Sequence, residues 1–142
     1  MTAKEYLNRV RRQAYILQQT ERELAELRSD LVSIGAASLS DRVSGSKTSD
    51  LSDKYVRLER YIAKVAAERD TLIALRTAAK EQIKMLPNED HQAILYARYI
   101  NGEAWEDIAH DMHCSWRKAF YLHGRALQSF ERLHRFAVAN GV

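Results

Sequence analysis

A chain of 142 residues with 46 % hydrophobic and 29 % charged side chains has apolar material for one or two small packed domains, which argues against global disorder. Five Gly and one Pro cannot supply the regular turns of a β-sandwich, the single cysteine Cys114 excludes an internal disulfide framework, and no apolar run nears the roughly 20 residues of a membrane span. Lys and Arg number 22 against 19 Asp and Glu, and a net charge of +3 is too small to announce a nucleic-acid partner by its total, so its distribution must decide.

The basic, polar start MTAKEYLNRVRRQ holds no hydrophobic signal segment, and together these features lead us to expect a soluble cytoplasmic protein. From about Thr2 to Ile34, apolar residues recur at Leu7, Val10, Ala14, Leu17, Leu24 and Leu31, the three-four alternation of a long amphipathic helix. Leu27 and Ile34 widen that stripe, whereas Glu21 and Arg28 interrupt it. The stretch from Gly35 to Asp53 has six Ser and two Gly among nineteen residues and no period, so a flexible connection is expected there.

A second helix follows, with Tyr55, Leu58, Ile62, Val65, Leu72, Ala79, Ile83 and Leu86 in alternation, interrupted by Arg69 and Arg76. It must stop at Pro87, which lacks the amide for the helix and clashes with the preceding turn. Helices of roughly 32 residues are about 48 Å long, too elongated to form a globular core as a pair. An antiparallel hairpin over residues 1–86 that self-associates is the expected arrangement. If the stretch from Gly35 to Asp53 closes the hairpin near its midpoint, paired positions sum to roughly 90 and Glu21 lies opposite Arg69, so that these two interruptions meet as opposite charges.

After Pro87 the elements shorten. NEDHQAILYARYI has acidic and amide side chains in its first turn and apolar residues at Ile94, Leu95, Tyr99 and Ile100, and Asn101 and Gly102, which both tolerate a positive φ, are expected to end this helix. A helix from about Ala104 to Met112 carries Trp105, Ile108, Ala109 and Met112 on one face. His113 and Cys114 form a tight turn, and Ser115 is placed to cap a last helix running to about Val138. Three short helices with a brief turn before the last outline a helix-turn-helix domain over residues 87–142, so the expected fold class is all-α.

Charge divides along the same lines. Pro87 to Cys114 holds six acids, Glu89, Asp90, Glu103, Glu106, Asp107 and Asp111, against Arg98, whereas Ser115 to Val142 holds Arg117, Lys118, Arg125, Arg132 and Arg135 against Glu131. At 100° per residue, Ala119, Leu122 and Ala126 form a buried face. Arg117, Tyr121, Gly124 and Gln128 then point away from it, with Lys118 and Arg125 at the edge, as in a helix that docks in the major groove of double-stranded DNA.

Residues 86–133 also resemble the last DNA-binding domain of bacterial sigma factors. Leu86, Pro87, Tyr99, Gly102, Trp105, Glu106, Asp107, Ile108, Ala109, Ser115, Arg125, Ala126 and Leu127 match its pattern in order. Across its whole length the chain is similar to small phage and prophage proteins of Gram-positive bacteria, related to the ArpU and RinA type of late transcriptional regulator. His113 stands where that pattern has Gly and so must take a left-handed conformation, and Ala119 replaces a larger aliphatic residue.

The expectation is a sequence-specific transcriptional regulator of the phage late-gene type. Ser115, Trp116, Arg117, Lys118, Tyr121, Arg125 and Gln128 are its candidate DNA-contacting residues. Arg117, Lys118 and Tyr121 are assigned to base edges, Arg125 and Gln128 to the backbone, and Gly124 permits close approach. Expected partners are double-stranded DNA, a second copy in a dimer or larger homo-oligomer and, in an adaptor role, host RNA polymerase; no membrane is expected. A small-terminase-like DNA-packaging ring and a pure protein adaptor on RNA polymerase are the alternatives. His110, His113, Cys114 and His123 lack the spacing of a zinc site, so neither metal nor cofactor is expected. Tyr96, Tyr99, Trp105 and Phe120 are assigned to the core, and the lack of a phosphate loop or a nucleophile-base pattern argues against an enzyme.

Overall fold

The computed structural model describes the backbone of residues 1–38 and 45–142 and the side chains of residues 1–35 and 50–142. Its elements are α1 (Ala3–Ser38), α2 (Gly45–Lys84), α3 (Glu89–Leu95) continuing into a π-helical turn (Tyr96–Ile100), α4 (Trp105–Asp111), α5 (Trp116–Leu133) and α6 (Arg135–Asn140). Among the described residues there is no strand, so the fold is all-α, a long N-terminal helix pair with a C-terminal group of short helices.

The first helix begins at a capping box. The Glu5 amide donates to Thr2 Oγ1 at 3.2 Å while the Thr2 amide donates to Glu5 Oε2 at 2.8 Å, so two otherwise orphaned donors are satisfied reciprocally. Helix α1 then continues through Gly35 to Ser38, and α2 resumes at Gly45. The flexible connection expected over Gly35 to Asp53 is therefore helical at 35–38 and 45–53, while 39–44 lie outside the described residues. Serine costs only a fraction of a kcal/mol in a helix and glycine about 1, penalties that long neighbouring helices overcome.

Compactness divides the chain elsewhere than at Pro87: one unit combines Met1–Gln13 with Leu72–Val142, and the other is Ala14–Thr71. In the second unit, Leu17, Leu24, Leu31 and Val65 are buried between the two helices. Arg69 Nη2 reaches Glu21 Oε1 at 3.0 Å. The positions sum to 90, the register expected of a hairpin that closes near the midpoint of residues 35–53. Both side chains are about half exposed, 58 % for one and 44 % for the other, so the pair is a surface bridge and not a buried one. Of the apolar stripe, Tyr55 and Ile62 remain exposed, as do Tyr15, Ile16, Val32 and Val56.

The first unit has a single core to which both ends of the sequence contribute. Ala3, Tyr6, Leu7 and Val10 of α1 and Ala79, Ile83 and Leu86 from the end of α2 cluster with Ile94, Leu95, Tyr99, Ile108, Ala119, Ala126, Phe130 and Val138. Polar contacts follow the same seam. Tyr6 Oη accepts from Gln82 Nε2 at 2.9 Å and donates to the Val142 carbonyl, and Arg9 Nη1 donates to the Gly141 carbonyl at 2.7 Å.

Carbonyls in the last turn of α2 and just beyond it also accept from side chains elsewhere in the chain. Gln92 Nε2 donates to the Leu86 carbonyl, and His134 Nε2 donates to the Gln82 carbonyl at 2.7 Å. His134 pays for that reach with a non-helical backbone, φ −112° and ψ 31°. The single last helix expected to run to Val138 consequently breaks into α5 and α6.

The helix that begins at Glu89 ends at Asn101 and Gly102, as expected. Asn101 remains in the right-handed region and its amide bonds to the Tyr96 carbonyl at 3.0 Å, an i to i−5 bond that widens the end of α3. The added residue per turn lets Leu95 and Ile100 share the buried side, which an unbroken α-helix would spread apart. Gly102 alone takes positive φ, +68°.

Candidate nucleic-acid interface

Helix α5 is positioned by its small and aromatic buried face. Ala119, His123, Ala126 and Phe130 are buried, and the alanines let the helix approach α3 and α4 closely. His113 takes φ 53°, the left-handed turn that the sequence pattern requires, and its backbone leads directly into the cap. Ser115 Oγ accepts from the Lys118 amide at 3.1 Å, so Ser115 is the N-cap and its hydroxyl is committed to the helix end.

The other expected contact residues, Trp116, Arg117, Lys118, Tyr121, Arg125 and Gln128, are all exposed on this one helix. Three lanes result from the 100° step. Arg117, Tyr121, Gly124 and Gln128 run down the middle. Lys118, Arg125 and Arg132 recur every seven residues along one edge, about 10.5 Å apart. Trp116 and Phe120 occupy the opposite edge. Arg132 joins the contacts expected from sequence, and its heptad spacing from Arg125 is the signal that marks it. An open groove lined by Gln128, Glu131, Arg132, Arg135 and Met1 extends the cationic edge toward α6.

None of Arg117, Lys118, Arg125, Arg132 and Arg135 has an ion-pair partner among the described residues. The acids of α4 and of the turn before it lie close to one another instead. Partial burial, with a hydrogen bond to and repulsion from Asp111 and further repulsion from Asp107, holds the Glu103 carboxyl above the usual carboxylate range. Arg98, the cation among those acids, has a structural post: its Nη1 donates to the Glu103 carbonyl at 2.9 Å, and its guanidinium lies 4.6 Å from the Trp105 ring centre.

Behind α5, His123 Nε2 lies 2.7 Å from Tyr99 Oη and its ring meets Trp105 edge-on at 4.6 Å. Burial pushes the Tyr99 phenol up to about 12 and the His123 imidazole down to about 4. Both groups are therefore neutral at pH 7, and the tautomer of His123 sets which of them donates in this hydrogen bond. Phe120 departs from its expected core assignment: it is 46 % exposed, with only one flank covered by Trp105 at 4.8 Å. No three His, Cys, Asp or Glu side chains among the described residues gather into a group that could hold a metal ion. No helix among them is long and apolar enough to cross a membrane.

No curated protein and no solved structure matches the chain. The family described as "Protein of unknown function (DUF1492)" matches residues 31–131, most of the chain and all of α3 and α4 with nearly all of α5, and the protein belongs to that family.

Proposed function

We propose that this protein is a sequence-specific DNA-binding regulator of transcription that uses α5 as its recognition helix. The observation that carries the proposal is the exposed side of α5, where cations without ion-pair partners among the described residues flank a lane that includes a guanidinium, an amide and a glycine. A phosphate lattice rewards such cations by releasing its counterions, while the guanidinium and amide are groups that read guanine and adenine edges. The turn at His113 followed by the Ser115 cap, and the resemblance of residues 86–133 to the last domain of sigma factors, support a helix-turn-helix of the kind found in ArpU- and RinA-like phage regulators.

Self-association through the long helices completes the proposal. Tyr55, Ile62 and Val32 are large apolar groups left in water by one copy, and two recognition helices in a dimer would double the length of site read. The test is selection of binding sites from random duplexes by the purified protein, followed by sedimentation with and without the selected duplex. A defined sequence bound by two copies supports the proposal. Failure to enrich any sequence refutes it, and a ring of many copies favours a packaging role.

A further inference from the structure

The exposed side of α5 is asymmetric in a way that phosphate binding does not explain. One edge is cationic through Lys118, Arg125 and Arg132. The other carries Trp116 and Phe120, 51 % and 46 % exposed, with ring centres 6.0 Å apart. Phe120 is backed by Trp105, and Trp105 in turn by the Arg98 guanidinium, so the aromatic edge is braced from behind and presents a fixed apolar surface. An edge meant for phosphates would carry cations on this side as well. The floor of the major groove offers one apolar feature, the 5-methyl group of thymine.

We infer that the Trp116–Phe120 edge packs on thymine methyl groups of one strand while Lys118, Arg125 and Arg132 hold phosphates on the opposite side, so that α5 reads a thymine-bearing strand beside the base edge met by Arg117 and lies in the groove with a fixed polarity. This rests on the assignment of α5 as recognition helix. It adds what that assignment leaves open, namely which base feature the aromatic edge recognises and which strand carries it.

The test uses the full-length protein and its selected duplex, with deoxyuridine replacing thymine one strand at a time. The wild-type protein is expected to lose about fourfold in affinity for each methyl contact removed from one strand, the worth of one buried methyl group, and to ignore the same change in the other strand. Trp116→Ala should bind the thymine and uracil duplexes more nearly alike, with a melting curve reporting that it is folded. Equal binding of both duplexes by the wild-type protein, or an equal penalty from either strand, overturns the inference while sequence-specific binding, and with it the role of α5, stands. The wild-type comparison decides the matter even where the variant is unstable. If no sequence is selected at all, the recognition-helix assignment fails first and takes this inference with it.

Discussion

Tyr99 and His123 face each other in the interior, hydroxyl to ring nitrogen at 2.7 Å, directly behind the exposed side of α5. The imidazole is held neutral, its pKa brought down to about 4 by burial first and then by the positive charges of Lys4 and Arg98.

A pH dependence of stability follows. An unfolded chain protonates this histidine near its ordinary value of about 6.5, while the folded chain resists protonation until about pH 4. Over that window the unfolded state binds more protons, so stability declines as pH is lowered from about 6.5 to 4 and levels off below. Urea unfolding at pH 7 and 4.5 should show the decline, and His123→Leu should have a shallower one at lower overall stability. An equal slope in wild type and variant would remove His123 as the cause.

The Glu21–Arg69 bridge is exposed, so its coupling is small. Reversing either charge alone should cost a few tenths of a kcal/mol to about 1, and reversing both should recover part of it. Thermal melts of the two single variants and the double variant at low and high salt measure the coupling, which salt should weaken. A coupling above several kcal/mol would mean that the pair is buried in the assembled protein.

Gly124 offers a separation of stability from binding. A Cβ there meets nothing within 4 Å, so packing does not demand a glycine. Gly124→Ala should stabilise the protein by about 1 kcal/mol, the usual helix-interior difference, and weaken DNA binding if the groove wall approaches that point. Binding unchanged in a more stable variant would show that the DNA keeps its distance at Gly124.

Arg117 and Arg125 should fail in different ways. Arg117→Ala is expected to cost about 1 to 3 kcal/mol on the selected site and to relax preference at one or two base pairs, because a guanidinium reads a guanine edge with two hydrogen bonds. Arg125→Ala should weaken all duplexes about equally and lower the salt slope by about one, and Arg132→Ala should do the same. Wild-type affinity at moderate salt in both Arg117→Ala and Arg125→Ala would remove α5 from the interface.

The shared core also dictates how the protein can be dissected. A fragment beginning at Pro87 loses Tyr6, Leu7, Val10, Ala79, Ile83 and Leu86 and should be unfolded or aggregated by circular dichroism and sedimentation. A protein in which a short linker replaces 14–71 retains that core and should fold. If the exposed Tyr55, Ile62 and Val32 drive self-association, this shortened protein is a monomer.

What the sequence disclosed and what it concealed divide by range. Periodicity locates both long helices, a hairpin closed near the midpoint of residues 35–53 brings Glu21 opposite Arg69, and Ser115 announces a cap, because each follows a short-range rule, whereas the left-handed turn at His113 comes from the resemblance to a pattern with Gly at that place. The break at His134 comes from a bond to a carbonyl 52 positions away, so no local pattern announces it. Helical spacing assigns Phe120 to the core, but its place 100° from Ala119 puts it at the border of the buried face, where packing by Trp105 covers only one side. The polarity of α5 was legible in its charges, whereas its aromatic edge needed the three-dimensional border to be known.

The hydrogen bond from Tyr6 to the Val142 carbonyl spans 136 positions, and the apolar side chains around it come from both extremes of the sequence. During synthesis the apolar face of the first helix turns therefore waits, uncovered, until the last helices leave the ribosome. Closing contacts of such separation costs loop entropy before they are rewarded, so this unit is expected to fold only after its last helices are made, and slowly for a helical protein. Truncation of α6 consequently bares the beginning of the chain as well as its end, and nascent or shortened forms are natural clients for chaperones or proteases.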